Sequence, residues 1–277
     1  MTTFLAAYDL ESLEIGLKAG AAVAEVHRRH DAPATFFVVG RLLERDGEAY
    51  REILDDSLFD IQTHTYSHKI LKNSIPHGPA VSLEEMEVEV RRGKELVEET
   101  FGRECLGLRT GCGFEKGFQG APERLEILRR NGIRFVSSDL RGPMDTIPAP
   151  LTQAYWYEAD GYADVLEIPA HGWHDNVLKG YTAHITLFPP LYPFAIPAPA
   201  RPPQTVDEAF AYERLWVDEA VRQGLEFFSP CLHPWSLYRF DPQIGTVDRM
   251  LAYLNGQGIA VGTYADFYTR QAAQRGP

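Results

Sequence analysis

The chain has 277 residues, a formal net charge of −12 and 44% hydrophobic residues. That is enough apolar material to bury a sizeable core, which argues against disorder. An acidic surface of this strength repels phosphate backbones and argues against nucleic acid as a partner, and no run approaches the ~18 apolar residues that suggest a membrane span.

Taken in chain order, short apolar runs alternate with helical patterns. Phe4–Tyr8 reads as a strand, after which Ser12 is placed to cap a helix through Arg29, with Leu13, Leu17, Ala21 and Ala24 at helical spacing. Ala34–Val39 is a second strand, and Gly40 turns it into another helix. Phe59–Gln62 is a third. Ser82-Leu83-Glu84-Glu85 has the form of a capping box and opens a helix to about Phe101 that buries Leu83, Met86, Val90 and Val97. Leu106–Leu108 follows, then a helix begun by Pro122 and stopped at Asn131-Gly132. Phe135–Ser138 and Val165–Ile168 are further strands. Asp207–Gln223 is a helix, Leu225–Leu232 a strand, Pro242–Asn255 a helix and Ile259–Thr263 a last strand. Some eight strands separated mostly by helices predict parallel pairing and closure into a (β/α) barrel occupying residues 1–277 as one domain. No glycine-rich dinucleotide fingerprint follows any strand.

One segment breaks the rhythm. Residues 176–203 hold a proline-rich insertion, from Phe188-Pro189-Pro190 to Pro202-Pro203, which forbids helix and central strand alike. It reads either as a rigid surface loop or as an aromatic-lined lid.

The polar residues cluster just beyond strand ends, where barrel enzymes build their sites: Asp9 and Glu11 after the first strand, His64 and His68 after the third, Arg109 after the fourth, His171, Trp173, His174 and Asp175 after Glu167-Ile168-Pro169, and His233 after Cys231-Leu232. His64 and His68 are spaced one helical turn apart, so both imidazoles can face one metal ion. Asp9 and Glu11, separated by one residue, share a face of an extended strand. One can complete a metal shell while the other takes a proton from water; an acidic residue near a helix N-terminus is the simpler account of Glu11.

This pattern resembles the polysaccharide deacetylases, carbohydrate esterase family 4, over nearly the whole chain. Tyr8-Asp9-Leu10-Glu11 resembles the first motif, Ala34–Gly40 the second strand, and Thr63-His64-Thr65-Tyr66-Ser67-His68 the metal-binding motif. Arg109-Thr110-Gly111-Cys112-Gly113 resembles the R-x-P-x-G motif, with Gly111 in the proline's place and a loosened loop expected there. Cys231-Leu232-His233-Pro234 resembles the final motif. The resemblance implies a distorted (β/α)7–8 barrel in which a divalent metal (zinc first, with cobalt, manganese or nickel as alternatives) sits on Glu11, His64 and His68. Leu10 stands where the family's usual first motif carries a metal-binding aspartate, and an Asp-x-Glu arrangement makes Glu11 the ligand instead. The resemblance further implies Asp9 as general base, Arg109 orienting it, the Cys112 N–H in the oxyanion hole and His233 as general acid. Trp173, His174 and Asp175 match the fourth motif loosely, as pocket wall and as tuner of His233.

The implied activity is cleavage of an amide, N-acyl or acetyl-ester bond by a metal-bound water, on a small-molecule or glycan substrate. Two rival readings are a metal-independent, ring-opening amidohydrolase acting on a cyclic ureide or imide, and a non-catalytic carbohydrate-binding barrel. Cys105, Cys112 and Cys231 have no metal-type spacing and read as reduced thiols; with a start at Met1–Asp9 that lacks a basic, apolar leader, they point to the cytoplasm. The sequence leaves the oligomeric state open.

Overall fold

A computed structural model describes residues 1–179, 196–197 and 199–275. In chain order its elements are β1 Thr3–Leu5, β2 Ala7–Leu10, α1 Gly16–Arg29, β3 Ala34–Val38, α2 Gly40–Leu54, β4 Phe59–Thr63, α3 Leu83–Phe101, β5 Gly107–Glu115, α4 Pro122–Arg130, β6 Phe135–Arg141, β7 Tyr155–Tyr157, β8 Tyr162–Glu167, α5 Val206–Gln223, β9 Phe227–Phe228, α6 Pro234–Phe240, α7 Gly245–Gln257, β10 Val261–Gly262 and α8 Tyr264–Arg275. Among these residues no helix is long and apolar enough to cross a membrane.

Strands β2, β3, β4, β5, β6 and β8 lie side by side and parallel, with β7 antiparallel on the outer edge. A second sheet sets β1 between β9 and β10. The first strand expected from the sequence is thus split at Ala6, one half serving each sheet. The ladders do not close continuously. The ring is completed by isolated bonds instead: Asp9 N–H to Leu232 O at 2.8 Å, His171 N–H to Ser229 O at 2.7 Å and Asp175 N–H to Cys231 O at 3.3 Å. The result is the distorted barrel, with the late strands reduced to two-residue remnants at Phe227–Phe228 and Val261–Gly262. β3 is buried along its whole length, as a strand covered on both faces must be.

Local chemistry accounts for most elements. Ser82 and Glu85 form the capping box of α3, and Gly102 ends that helix in the left-handed region. Met86, Val90 and Val97 are buried as expected, but Leu83, in the exposed first turn, is 38% accessible. Helix α1 opens at Gly16 rather than after Ser12, with no side-chain cap, and Leu13 lies exposed before it. Its inward face is Ala19, Val23 and Val26. Three elements had no clear sequence signal: the edge strand β7, the two-turn helix α6 opened by Pro234, and α8, whose Thr263 hydroxyl accepts from Asp266 N–H at 3.0 Å. The expected insertion at residues 176–203 falls largely outside the described residues.

Candidate active site

Strand alternation settles the first motif. Leu10 points away from the barrel mouth and packs on α1, 3.1 Å from where a Cβ of Gly20 would stand, so position 10 cannot face the histidines. Asp9 and Glu11, two residues apart, both reach His64: Asp9 Oδ2 is 3.8 Å from its Nε2 and Glu11 Oε2 is 3.7 Å from it. Glu11 Oε2 lies 2.9 Å from His68 Nε2.

The two imidazoles do meet, but not on a helix. Residues 64–68 form a loop in which Thr65 and His68 adopt positive φ, and the ring centroids lie 4.8 Å apart. Helix α3 holds this loop: Glu89 accepts from Ser67 N–H at 2.7 Å and from its hydroxyl at 2.5 Å. Gly93 lets the helix approach, since a Cβ there would stand 2.7 Å from the Thr65 carbonyl carbon.

His64 Nδ1 lies 2.9 Å from the Arg109 carbonyl oxygen, to which it donates. That fixes the tautomer and leaves Nε2 a bare acceptor, buried and with no hydrogen-bond partner. Glu11, His64 and His68 bring three ligand atoms within 4.8 Å of one another. A buried imidazole nitrogen without a donor, beside a carboxylate and a second imidazole, fits a divalent metal ion.

Asp9 is 2% exposed and Arg109 fully buried, with Nη1 to Oδ1 at 3.0 Å. The guanidinium also donates to Tyr264 Oη at 2.5 Å and Ser137 Oγ at 3.2 Å, and stacks 4.4 Å from the Phe37 ring centre. Cys231 Sγ donates to the other Asp9 oxygen at 3.2 Å. Burial alone would raise the Asp9 pKa, but Arg109, then His64 and His233, hold it below the usual carboxylate range. Glu11 follows the same logic: burial opposes its charge, and His233, His64 and His68 outweigh burial and lower its pKa.

His233 stands at the N-terminus of α6. Its Nδ1 is 3.0 Å from Asp175 Oδ1 and its Nε2 is 3.8 Å from Glu11 Oε1. Burial lowers the His233 pKa; Asp175 overcomes burial and, with Glu11 against the opposing Lys179, leaves it raised. Lys179, one helical turn past Asp175, bonds it at 2.9 Å. Trp235 Nε1–H donates to Glu11 Oε1 at 2.9 Å.

The β5–β6 pairing lapses between Arg109 and Phe114, which leaves Thr110, Cys112 and Gly113 on the wall of a cavity of about 220 Å³ shared with Asp9, Glu11, His64, His68, His174 and His233. Gly111 lies in this loop against His68, and a Cβ at position 111 would lie 3.0 Å from the imidazole, so the loop packs closely on the second histidine. Burial pushes the Cys112 thiol up.

The fourth motif divides. Asp175 and His174 join the site, but Trp173 does not line the cavity. It is 4% exposed in the core, with its indole N–H on Ile196 O at 3.4 Å. The positive φ of His174 turns the chain between them. His174 accepts from Cys231 N–H and donates to Leu140 O, and burial lowers its pKa to about 3; it is a neutral strut. His171 bridges Ser229 N–H and Thr152 O in the same way. The sequence reading missed Tyr264, Cys231, Lys179, Trp235 and Arg141, all at the site. Only Lys179, at i+4 from Asp175, carried a local signal.

The polysaccharide deacetylase family model matches residues 18–136, a stretch that contains His64, His68, Arg109 and Cys112. No curated protein matches the chain. Among solved structures it is similar to a protein of Mycobacterium smegmatis assigned to the polysaccharide deacetylases, at 17% identity and TM-score 0.70, covering 99% of this chain and 91% of that one. It is similar to Puue allantoinase at 16% identity and TM-score 0.66, covering 94% and 74%. A carbohydrate esterase family 4 pseudoenzyme from Bacillus anthracis also shares the fold, at 13% identity and TM-score 0.54, covering 96% and 66%. The matched segment and the shared fold bear out the resemblance to the polysaccharide deacetylases and the reading of the chain as a hydrolase of that kind.

Proposed function

We propose that this chain is a single-domain, metal-dependent hydrolase that cleaves a carbon–nitrogen bond of an amide or N-acyl group, or an acetyl ester. The observation that carries the proposal is the buried, donor-free Nε2 of His64, aimed at Glu11 and His68 beside an Asp9 locked by Arg109. Glu11, His64 and His68 would hold the metal; zinc suits two imidazoles and a carboxylate, and cobalt, manganese or nickel can substitute. When bound, such an ion polarises a carbonyl and brings the pKa of water towards neutrality.

The chain's own groups do the rest. Asp9, ionised and aimed by Arg109, accepts a proton from the attacking water, whose oxygen bonds the carbonyl carbon. The Cys112 N–H, in the unpaired stretch of β5, faces the oxyanion. His233 gives its proton to the leaving nitrogen as the carbon–nitrogen bond breaks, yielding a carboxylic acid and an amine. The raised Cys112 thiol pKa disfavours a thiolate nucleophile. Three free cysteines, two of them buried, fit a reducing compartment, so we assign the activity to the cytoplasm.

Purified protein assayed on acetyl esters and N-acyl amides, before and after chelation and metal return, tests this reading. Activity should fall with metal content and come back with zinc. Full activity in metal-free protein would favour the ring-opening amidohydrolase, a reading supported by the likeness to an allantoinase and by the small cavity. No turnover at any metal content would leave the non-catalytic barrel.

The acid's pH dependence has a definite sign. His233 must be protonated to donate, so rate falls as pH rises through its folded-state pKa. Asp175 raises that value. Asp175→Asn should therefore move the alkaline limb of kcat roughly 1–3 pH units lower, with the acidic limb little changed. An unmoved alkaline limb would remove Asp175 as the tuner.

A further inference from the structure

The same cavity contains a cation that the mechanism does not use. Arg141, at the end of β6, lines it together with Cys112 and His77. Its Nη1 donates to the Asp145 backbone oxygen at 3.0 Å, and its Nη2 meets His77 Nε2 at 2.9 Å. Its Nε–H is buried without a partner. A guanidinium has five N–H donors in a rigid fork, and these contacts engage two of them.

The charges around the cavity are otherwise matched. Arg109 has Asp9, and Lys179 has Asp175. Among the described residues Arg141 forms no ion pair. The nearest candidate, Asp145, turns its carboxylate to the Glu115 and Ile75 amides at 2.7 and 3.0 Å. Residues 180–195 contain no aspartate or glutamate.

We propose that Arg141 is a specificity-determining residue that receives a carboxylate of the substrate, so that the enzyme acts on small N-acyl or cyclic amides carrying a free carboxylate. This rests on the hydrolase reading above. The cavity, at about 220 Å³, falls below the ~300–1,000 Å³ of pockets for drug-sized ligands, which suits a compact molecule. A single planar carboxylate matches one guanidinium fork through two charge-assisted bonds. A phosphate dianion would meet more repulsion from Asp9 and Glu11, which line the same space. The competing account is mechanical: Arg141 braces the turn at 142–146 through Asp145 and has no part in recognition.

Calorimetric titration of the metal-loaded protein with N-acetylglycine and N-acetylglycinamide reads the claim without requiring turnover. Wild type should bind the acid roughly 10- to 100-fold more tightly than the amide. Arg141→Met should bring that ratio close to one, and Arg141→Lys should retain part of it. Equal affinity in wild type, including no binding of either probe, overturns the proposal. A preference intact in Arg141→Met overturns it too, because the carboxylate would then be read by the metal centre. The ratio in wild type stands whether or not the variants fold, and the hydrolase reading is decided separately by the ester and amide assay.

Discussion

Asp9→Asn is expected to lower turnover by about 10²–10⁴-fold, the usual contribution of a positioned general base, while the protein still holds its metal. Asparagine keeps the shape and the hydrogen bond to Arg109 but cannot accept a proton from water. The substitution has a second consequence that follows from burial. Arg109 is fully buried and Asp9 is the only carboxylate it pairs with among the described residues. Removing that charge leaves an uncompensated guanidinium in the barrel interior, a loss of about 3–5 kcal/mol and a melting temperature lower by roughly 10 °C. Activity must therefore be measured per folded molecule. The double variant Asp9→Asn/Arg109→Met separates the two effects: it should recover stability, because the orphaned charge is gone, and recover no activity, because the base is still missing. Near-wild-type turnover in folded, metal-replete Asp9→Asn would remove Asp9 as the base.

Much of the candidate site was legible because its residues are fixed by strand periodicity and strand ends. Asp9 and Glu11 share a face whatever the tertiary fold, and the apolar runs before His64, Arg109 and His233 bring each to the same end of a parallel sheet. What could not be read locally depends on chain reversals or distant partners. Trp173 and Asp175 look equivalent in sequence, yet the left-handed His174 between them sends the indole into the core and the carboxylate to His233. Tyr264 reaches Arg109 across 155 residues and Cys231 reaches Asp9 across 222, distances over which no spacing rule operates. The barrel itself was visible as alternation, but its incomplete closure was not. Leu225–Leu232 has the composition of a full strand, whereas only Phe227–Phe228 pair regularly; Ser229, Cys231 and Leu232 make single backbone bonds instead, and of these three only Cys231 lines the cavity. Gly111 shows the same limit. Against the motif's proline it looks like a loss, and only the structure shows the His68 ring packed 3.0 Å from where a Cβ would stand.

His64→Ala should remove metal and activity together. It takes away one of three ligands, and the one whose orientation is most strongly imposed, since Nδ1 is tied to the Arg109 carbonyl and Nε2 has no other partner. Loss of an outer-shell support alone commonly weakens a metal site 10–100-fold, so loss of the ligand itself should exceed about 100-fold and leave well under one ion per chain after dialysis. Turnover should fall at least as far, because the remaining Asp9 and His233 have no polarised carbonyl or activated water to work on. A thermal readout independent of activity comes from linkage. Metal at 100 times its Kd stabilises the folded wild type by about 2.7 kcal/mol, and that increment should vanish in the variant while the metal-free forms are compared directly to account for the lost packing. His68→Ala should behave alike but less severely, because His68 is the more exposed of the pair, with 32% of its side chain accessible against 1% for His64. A His64→Ala protein that retains one ion per chain and full turnover would place the metal elsewhere, and with it the water that Asp9 is aimed to deprotonate.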